Sequence, residues 1–204
     1  RRHTRYSLQS RGLGDVYKRQ LLNLSKRNVD GLDLAVSYAI DNLPNWMSLR
    51  ENDATMDIQW FTSWQFANEK QVLPSLPAID CAGKYSGTCS SGPVRPTPGL
   101  RSLLRVNWQS GPLSISPEMN YIGELELSDD SGPNQRGTQS AWILFNLTGN
   151  WDITDKTGIF FGINNVTDKQ PPIWAFQAAG DLNVNVNLYD PIGRNYFLGV
   201  RTGF

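Results

Sequence analysis

YDPIGRNYFLGVRTGF, residues 189–204, decides the fold. In its last ten residues Tyr196, Leu198, Val200, Thr202 and Phe204 fall on one side of an extended chain. Asn195, Phe197, Gly199, Arg201 and Gly203 fall on the other. A period of two marks a strand. One side is apolar but for a threonine, and the sequence closes on an aromatic with no polar tail. Ends of soluble domains usually fray in water. A strand with one face on lipid and the other on a wet lumen has reason to keep this pattern to its last residue. An edge strand of a soluble sandwich is the rival reading.

Upstream, the same alternation recurs over 29–40, 54–66, 100–109, 113–123, 141–151 and 158–165. Leu32, Leu34, Val36, Tyr38 and Ile40 oppose Asp33, Ala35, Ser37 and Ala39. Ile58, Trp60, Thr62, Trp64 and Phe66 oppose Asp57, Gln59, Ser63 and Gln65, and Phe61 breaks that polar row. Leu104, Val106 and Trp108 oppose Arg105, Asn107 and Gln109. Leu113, Ile115, Pro117, Met119 and Tyr121 oppose Ser114, Ser116, Glu118 and Asn120. Ile143, Phe145, Leu147 and Trp151 oppose Leu144, Asn146, Thr148 and Asn150. Pro117 has no N–H to give a ladder, so a bulge or a lapse of pairing is expected there. Trp60 and Trp64 suit an interfacial aromatic girdle or an ordinary core.

The expected fold class is therefore all-β, an antiparallel up-and-down meander of about seven strands. Its connections alternate in length. Those at 110–112 and 152–157 are short; those at 67–99, 124–138 and 166–188 are long. Bacterial barrels keep short turns on the inner side and long loops outside. Only 41–53 is longer than that rule prefers. Single-chain bacterial barrels have an even number of strands, so seven reads as an open, curved part of a larger transmembrane barrel. Leu34, Trp60, Val106, Phe145, Phe161 and Val200 are expected on its convex side.

Residues 1–20, RRHTRYSLQSRGLGDVYKRQ, resemble a translated sequencing adaptor and are set aside. They hold six of the 19 basic residues and one of the 19 acidic ones, which leaves 13 against 18. That balance gives no reason for a nucleic-acid partner. His3, the only histidine, lies in the same stretch. Without it no histidine-based dyad or metal site is possible, so no catalytic residue, metal or cofactor is expected. No apolar run approaches the roughly 18 residues of a membrane helix, which leaves barrel strands untouched. Cys81 and Cys89 are the only cysteines. A pair in a polar loop suits an oxidising compartment and is a disulfide candidate.

Several stretches carry a family resemblance. They are GLDLAVSY at 31–38, YIG at 121–123, IFFGINNVTD at 159–168 and the closing aromatic strand. CAGKYSGTC at 81–89, followed by a proline-rich run, belongs with them. Together they resemble the C-terminal barrel of TonB-dependent outer-membrane receptors, over 21–204. The resemblance implies the outer membrane, with its lipid as a partner, and energised uptake of a scarce solute such as a siderophore, cobalamin or an oligosaccharide. It implies that the barrel assembly machinery reads Tyr196, Leu198, Val200 and Phe204. TonB would act only through an N-terminal plug that this chain lacks. Tyr85, Trp174 and Phe176 are loop aromatics able to stack on a sugar or an aromatic chelator, or to pack the loop itself. A passive porin-like channel and a soluble carbohydrate-binding sandwich are the alternatives.

Overall fold

The computed structural model describes residues 26–50, 53–85, 87–89, 96–129, 137–173, 184–186 and 188–203. The stretch set aside at 1–20, and Trp174, Phe176 and Phe204, lie outside them. Eleven strands are described: β1 Lys26–Ile40, β2 Ala54–Gln71, β3 Ile79–Asp80, β4 Lys84–Tyr85, β5 Leu100–Ser110, β6 Leu113–Ile122, β7 Leu125–Leu127, β8 Thr138–Gln139, β9 Trp142–Thr154, β10 Thr157–Asn164 and β11 Asn195–Thr202. The described residues include no α-helix, and no helix long and apolar enough to cross a membrane. The protein is all-β.

Seven long strands form an antiparallel meander in the order β1-β2-β5-β6-β9-β10-β11. Short β3 pairs with β2, and β4, β7 and β8 make a second, three-stranded sheet. The expected strands are all present, with shifted ends. Strand β1 begins three residues earlier than the alternation shows, and β2 runs on to Gln71. Both additions are polar, and hydrogen-bonding to a neighbour strand holds them where pattern is silent. The described parts of 67–99 and 124–139 hold more regular structure than their composition implies, because they carry β3, β4, β7 and β8.

The register fixes which side chains share a face. Val36 lies opposite Trp60, Trp60 opposite Leu104, Leu104 opposite Met119, and Met119 opposite Phe145. Ile163 lies between Leu147 and Tyr196, and Phe161 between Gly149 and Leu198. By this chain of pairs Leu34, Trp60, Val106, Phe145, Phe161 and Val200 stand on one face. They are not gathered into a closed core. The buried cluster lies instead at the loop end of the other face: Tyr85, Leu125, Trp142, Val184 and Tyr189, with Ile122, Leu127, Leu144 and Leu188 against it.

Local chemistry sets the irregularities. Pairing between β5 and β6 runs to Arg105↔Glu118 and resumes at Trp108↔Ile115, so it lapses beside Pro117, the lesser of the two disruptions expected. A bulge sits at Asp30/Gly31. A Cβ on Gly31 would stand 2.6 Å from the Trp64 carbonyl oxygen, so only glycine fits. Gly111, at φ +53°, opens the two-residue hairpin that ends in Pro112; a positive φ there matches the twist of the strands. The overlong 41–53 connection folds back on the end of β5. Leu43 is buried, Trp108 Nε1 donates to the Met47 carbonyl at 3.0 Å, and the Leu49 N–H donates to Ser110 Oγ at 2.7 Å.

Candidate functional site

Three features rise from this scaffold: an uncovered apolar face, a hydrogen-bonded polar face, and a cavity beside the loop cap.

The apolar face is continuous from β1 to β11. Leu32, Leu34, Val36, Tyr38, Trp60, Ile143, Phe145 and Trp151 are all exposed on it. On β11 Tyr196, Leu198 and Val200 are 68%, 75% and 63% exposed. Isolated exposed apolar residues are ordinary, but a contiguous band is not. Two indole N–H groups of this face are satisfied by protein: Trp60 Nε1 donates to Ser102 Oγ at 2.8 Å, and Trp108 Nε1 to the Met47 carbonyl. From Met56 to Phe66 the apolar row of β2 spans eleven residues, roughly 33 Å along the strand. Trp60 and Trp64 lie inside the row, while Tyr38, Trp108 and Trp151 stand nearer the turn end of their strands.

The opposite face carries side-chain ladders. Arg105 donates to Glu118 Oε2 from Nε at 3.0 Å and from Nη2 at 2.5 Å. Asn120 and Asn146 donate to Glu118 Oε1 at 2.8 and 3.2 Å. Ser116 Oγ donates to Asn107 at 2.6 Å, Asn164 to Asn195 at 2.9 Å, and Arg201 to Asp152 at 2.8 Å. A small polar hollow of about 280 Å³ lies over this network, lined by Arg105, Ser116, Glu118, Asn146, Thr148 and Asn164. Cross-strand polar pairs of this kind stabilise a sheet modestly and need water beyond them.

The INNVTD end of β10 ties this network to the loop that follows. Asn165 and Asp168 have φ +53° and +54°, where asparagine and aspartate are the most tolerant non-glycine residues. The Asn165 N–H donates to Asn146 Oδ1 at 3.0 Å. Its side chain accepts from the Lys169 N–H at 2.8 Å and donates to the Lys169 carbonyl at 3.0 Å. Asp168 accepts from the Arg194 N–H at 2.9 Å, just before β11. The motif is thus a clasp between β9, β10 and the start of β11. Its positive φ at Asn165 ends the strand one residue earlier than alternation alone implies.

The loops at the same end form a folded cap. Cys81 and Cys89 are bonded and almost fully buried. Strand β4 runs parallel to β7, and Lys84 pairs with Asp129 at 2.7 Å. Lys70 of β2 donates to the Thr88 carbonyl at 2.5 Å, which ties the disulfide ring to the long sheet. Tyr85 is 7% exposed in the cap cluster, and its hydroxyl donates to the Gly137 carbonyl at 3.4 Å; it packs the loop. Tyr189 meets Trp142 edge-on, with ring centroids 5.5 Å apart. Burial pushes the Tyr189 phenol up to about 12, although the charge of Arg101 pulls the other way.

Beside the cap cluster the same face holds an open cavity of about 620 Å³, lined by Phe61, Leu103, Ile122, Trp142, Leu144 and Leu188 among others. Of the loop aromatics marked from sequence, Tyr85 is the one described, and it does not line the cavity. The residues that do were visible as one anomaly: Phe61, Leu103, Ile122 and Leu144 are apolar residues in otherwise polar rows. Phe61 alone stands out from its own strand; that the four are neighbours needs the register. Among the described residues no group of three or more His, Cys, Asp or Glu is placed to hold a metal. Comparison of the chain with protein-family models, curated proteins and solved structures finds no match. Fold and site define an all-β protein with a seven-stranded antiparallel meander.

Proposed function

We propose that this sheet is part of the wall of an outer-membrane β-barrel of the TonB-dependent receptor class, working in energised uptake of a scarce solute. One observation carries the reading: an apolar face spans all seven strands uncovered, while the opposite face is laced with polar side-chain bonds. A soluble sandwich would cover that face with a second sheet; here no described strand lies on it, and the 41–50 connection reaches it only at the turn end, through Met47 and Trp108. In this reading the apolar face meets lipid and the polar face meets the lumen. The cap of loops points outward, and the turns at 111–112 and 155–156 point inward. A bilayer leaves no backbone group unpaired, so β1 and β11 each need a further partner strand there. A porin-class channel would share the wall; the IFFGINNVTD clasp, by resemblance, favours the receptor.

The test is fractionation of cells of a Gram-negative host expressing the chain behind an export signal. The expected result is recovery in the outer-membrane pellet after alkaline carbonate, with release only by detergent. Release into buffer alone as a folded, monodisperse protein would overturn the proposal.

A further inference from the structure

The cavity beside the cap cluster has a composition that a wall does not require. Two neighbouring cross-strand rows make its floor. One runs Asp33, Ser63, Arg101, Ile122, Trp142; the other runs Ala35, Phe61, Leu103, Asn120, Leu144. Leu188 and Asp190, from the segment before β11, complete the lining. Its volume, about 620 Å³, lies in the range of small-molecule sites. Phe61 is 42% exposed on the face that carries the polar network, and it lines the cavity rather than the apolar band.

We infer that this cavity is a subsite for a neutral oligosaccharide, an inference that rests on the polar face being the solute-facing one. A sugar ring offers an apolar C–H face and a rim of hydroxyls that each donate and accept. Phe61 supplies an aromatic platform for the first, since the negative ring face attracts C–H groups. The second needs acceptors and donors side by side. Asp33 and Asp190 accept, Arg101 donates, and Ser63 and Asn120 do both. Charge separates the candidate solutes: two carboxylates against one guanidinium give a lining of net negative sign, which repels an anionic iron chelate. A neutral saccharide is indifferent to that sign and uses every group present.

The test is calorimetric titration of the full 204-residue chain in detergent micelles. The probes are maltohexaose, cellohexaose and xylohexaose, with ferric tris(catecholate) as the anionic chelate. At least one hexasaccharide binds and the chelate does not. Phe61→Leu keeps the apolar surface, loses the ring and weakens the saccharide about tenfold. Ser37→Ala, on the same face but outside the lining, leaves saccharide affinity within about twofold, with unchanged circular dichroism certifying both variants. Chelate binding without saccharide binding, or saccharide binding indifferent to Phe61→Leu, overturns the inference. Failure of the membrane reading is separate: a chain released into buffer that still binds saccharide through Phe61 keeps the site and loses the barrel. A chain held in the outer membrane that binds none of the three saccharides does the reverse.

Discussion

Val36→Arg separates a lipid-facing wall from a wet sheet. Val36 is the middle of the apolar row Leu32, Leu34, Val36, Tyr38, Ile40 on β1, and it is 42% exposed. Four residues on either side place it roughly 10 Å from each end of the row at strand rise and barrel tilt. It therefore lies near the midplane of the band. An arginine at the midplane of a barrel's lipid face costs about 2–4 kcal/mol. That is about a 30- to 900-fold loss in the folding equilibrium. The same substitution on a wet surface changes stability by no more than about 0.5 kcal/mol. Two companions calibrate it. Ile40→Arg, at the margin of the row, costs about 0–1 kcal/mol in a bilayer. Ser37→Arg, on the opposite face beside Gln59, costs little in either setting. Urea titrations of the chain folded into phosphatidylcholine vesicles, followed by tryptophan fluorescence, give the ordering. Equal midpoints for the parent, Val36→Arg and Ile40→Arg would refute the reasoning.

Three further outcomes follow from the loop end. Replacing Cys81 and Cys89 by serine opens a ring with a sequence separation of 8, and chain entropy puts the loss at about 2.5 kcal/mol; protease nicking within 81–97 rises well before the wall unfolds. Asn165→Ala loses two side-chain bonds to Lys169 and strains a left-handed backbone, together about 3 kcal/mol, whereas Asn165→Gly loses only the bonds; denaturant midpoints rank the two. Burial holds the Tyr189 phenol protonated up to about 12, against an ordinary value of about 10. The unfolded chain ionises first, so this contribution is whole below about pH 10 and fades as pH rises through about 12. Stability and tyrosinate absorbance followed together show the dependence, and Tyr189→Phe removes it.

The meander was legible because alternation is a local property. Each of the seven long strands carries its own period of two, and Pro117 and Gly111 announce a lapse and a turn through their own chemistry. The cap was not legible. Strands β4, β7 and β8 are two or three residues long, and their pairings join Tyr85 to Leu127 and Leu125 to Gln139 across long stretches of chain. No window of sequence holds both partners. Tyr85 reads as a loop aromatic and is a core residue because Leu125 and Tyr189 reach it. The cavity failed to show for the same reason: Phe61 is a visible exception on β2, but Leu103, Asn120 and Leu144 become its row only once the register is set. The extra polar turns of β1 and β2 are held by cross-strand bonds such as Arg27 to Asn68 at 2.7 Å, to which periodicity is blind.

The account turns on which side of the sheet meets lipid. Spin labels placed singly along β1 at Leu34, Ala35, Val36 and Ser37, and along β9 at Phe145 and Asn146, report this directly once the chain is in vesicles. Cys81 and Cys89, bonded to each other, do not compete for the label. The account predicts high oxygen and low nickel-chelate accessibility at 34, 36 and 145, with the reverse at 35, 37 and 146. Equal access of the nickel chelate to both sets, or immobilised labels shielded from both reagents at 34, 36 and 145, would contradict it.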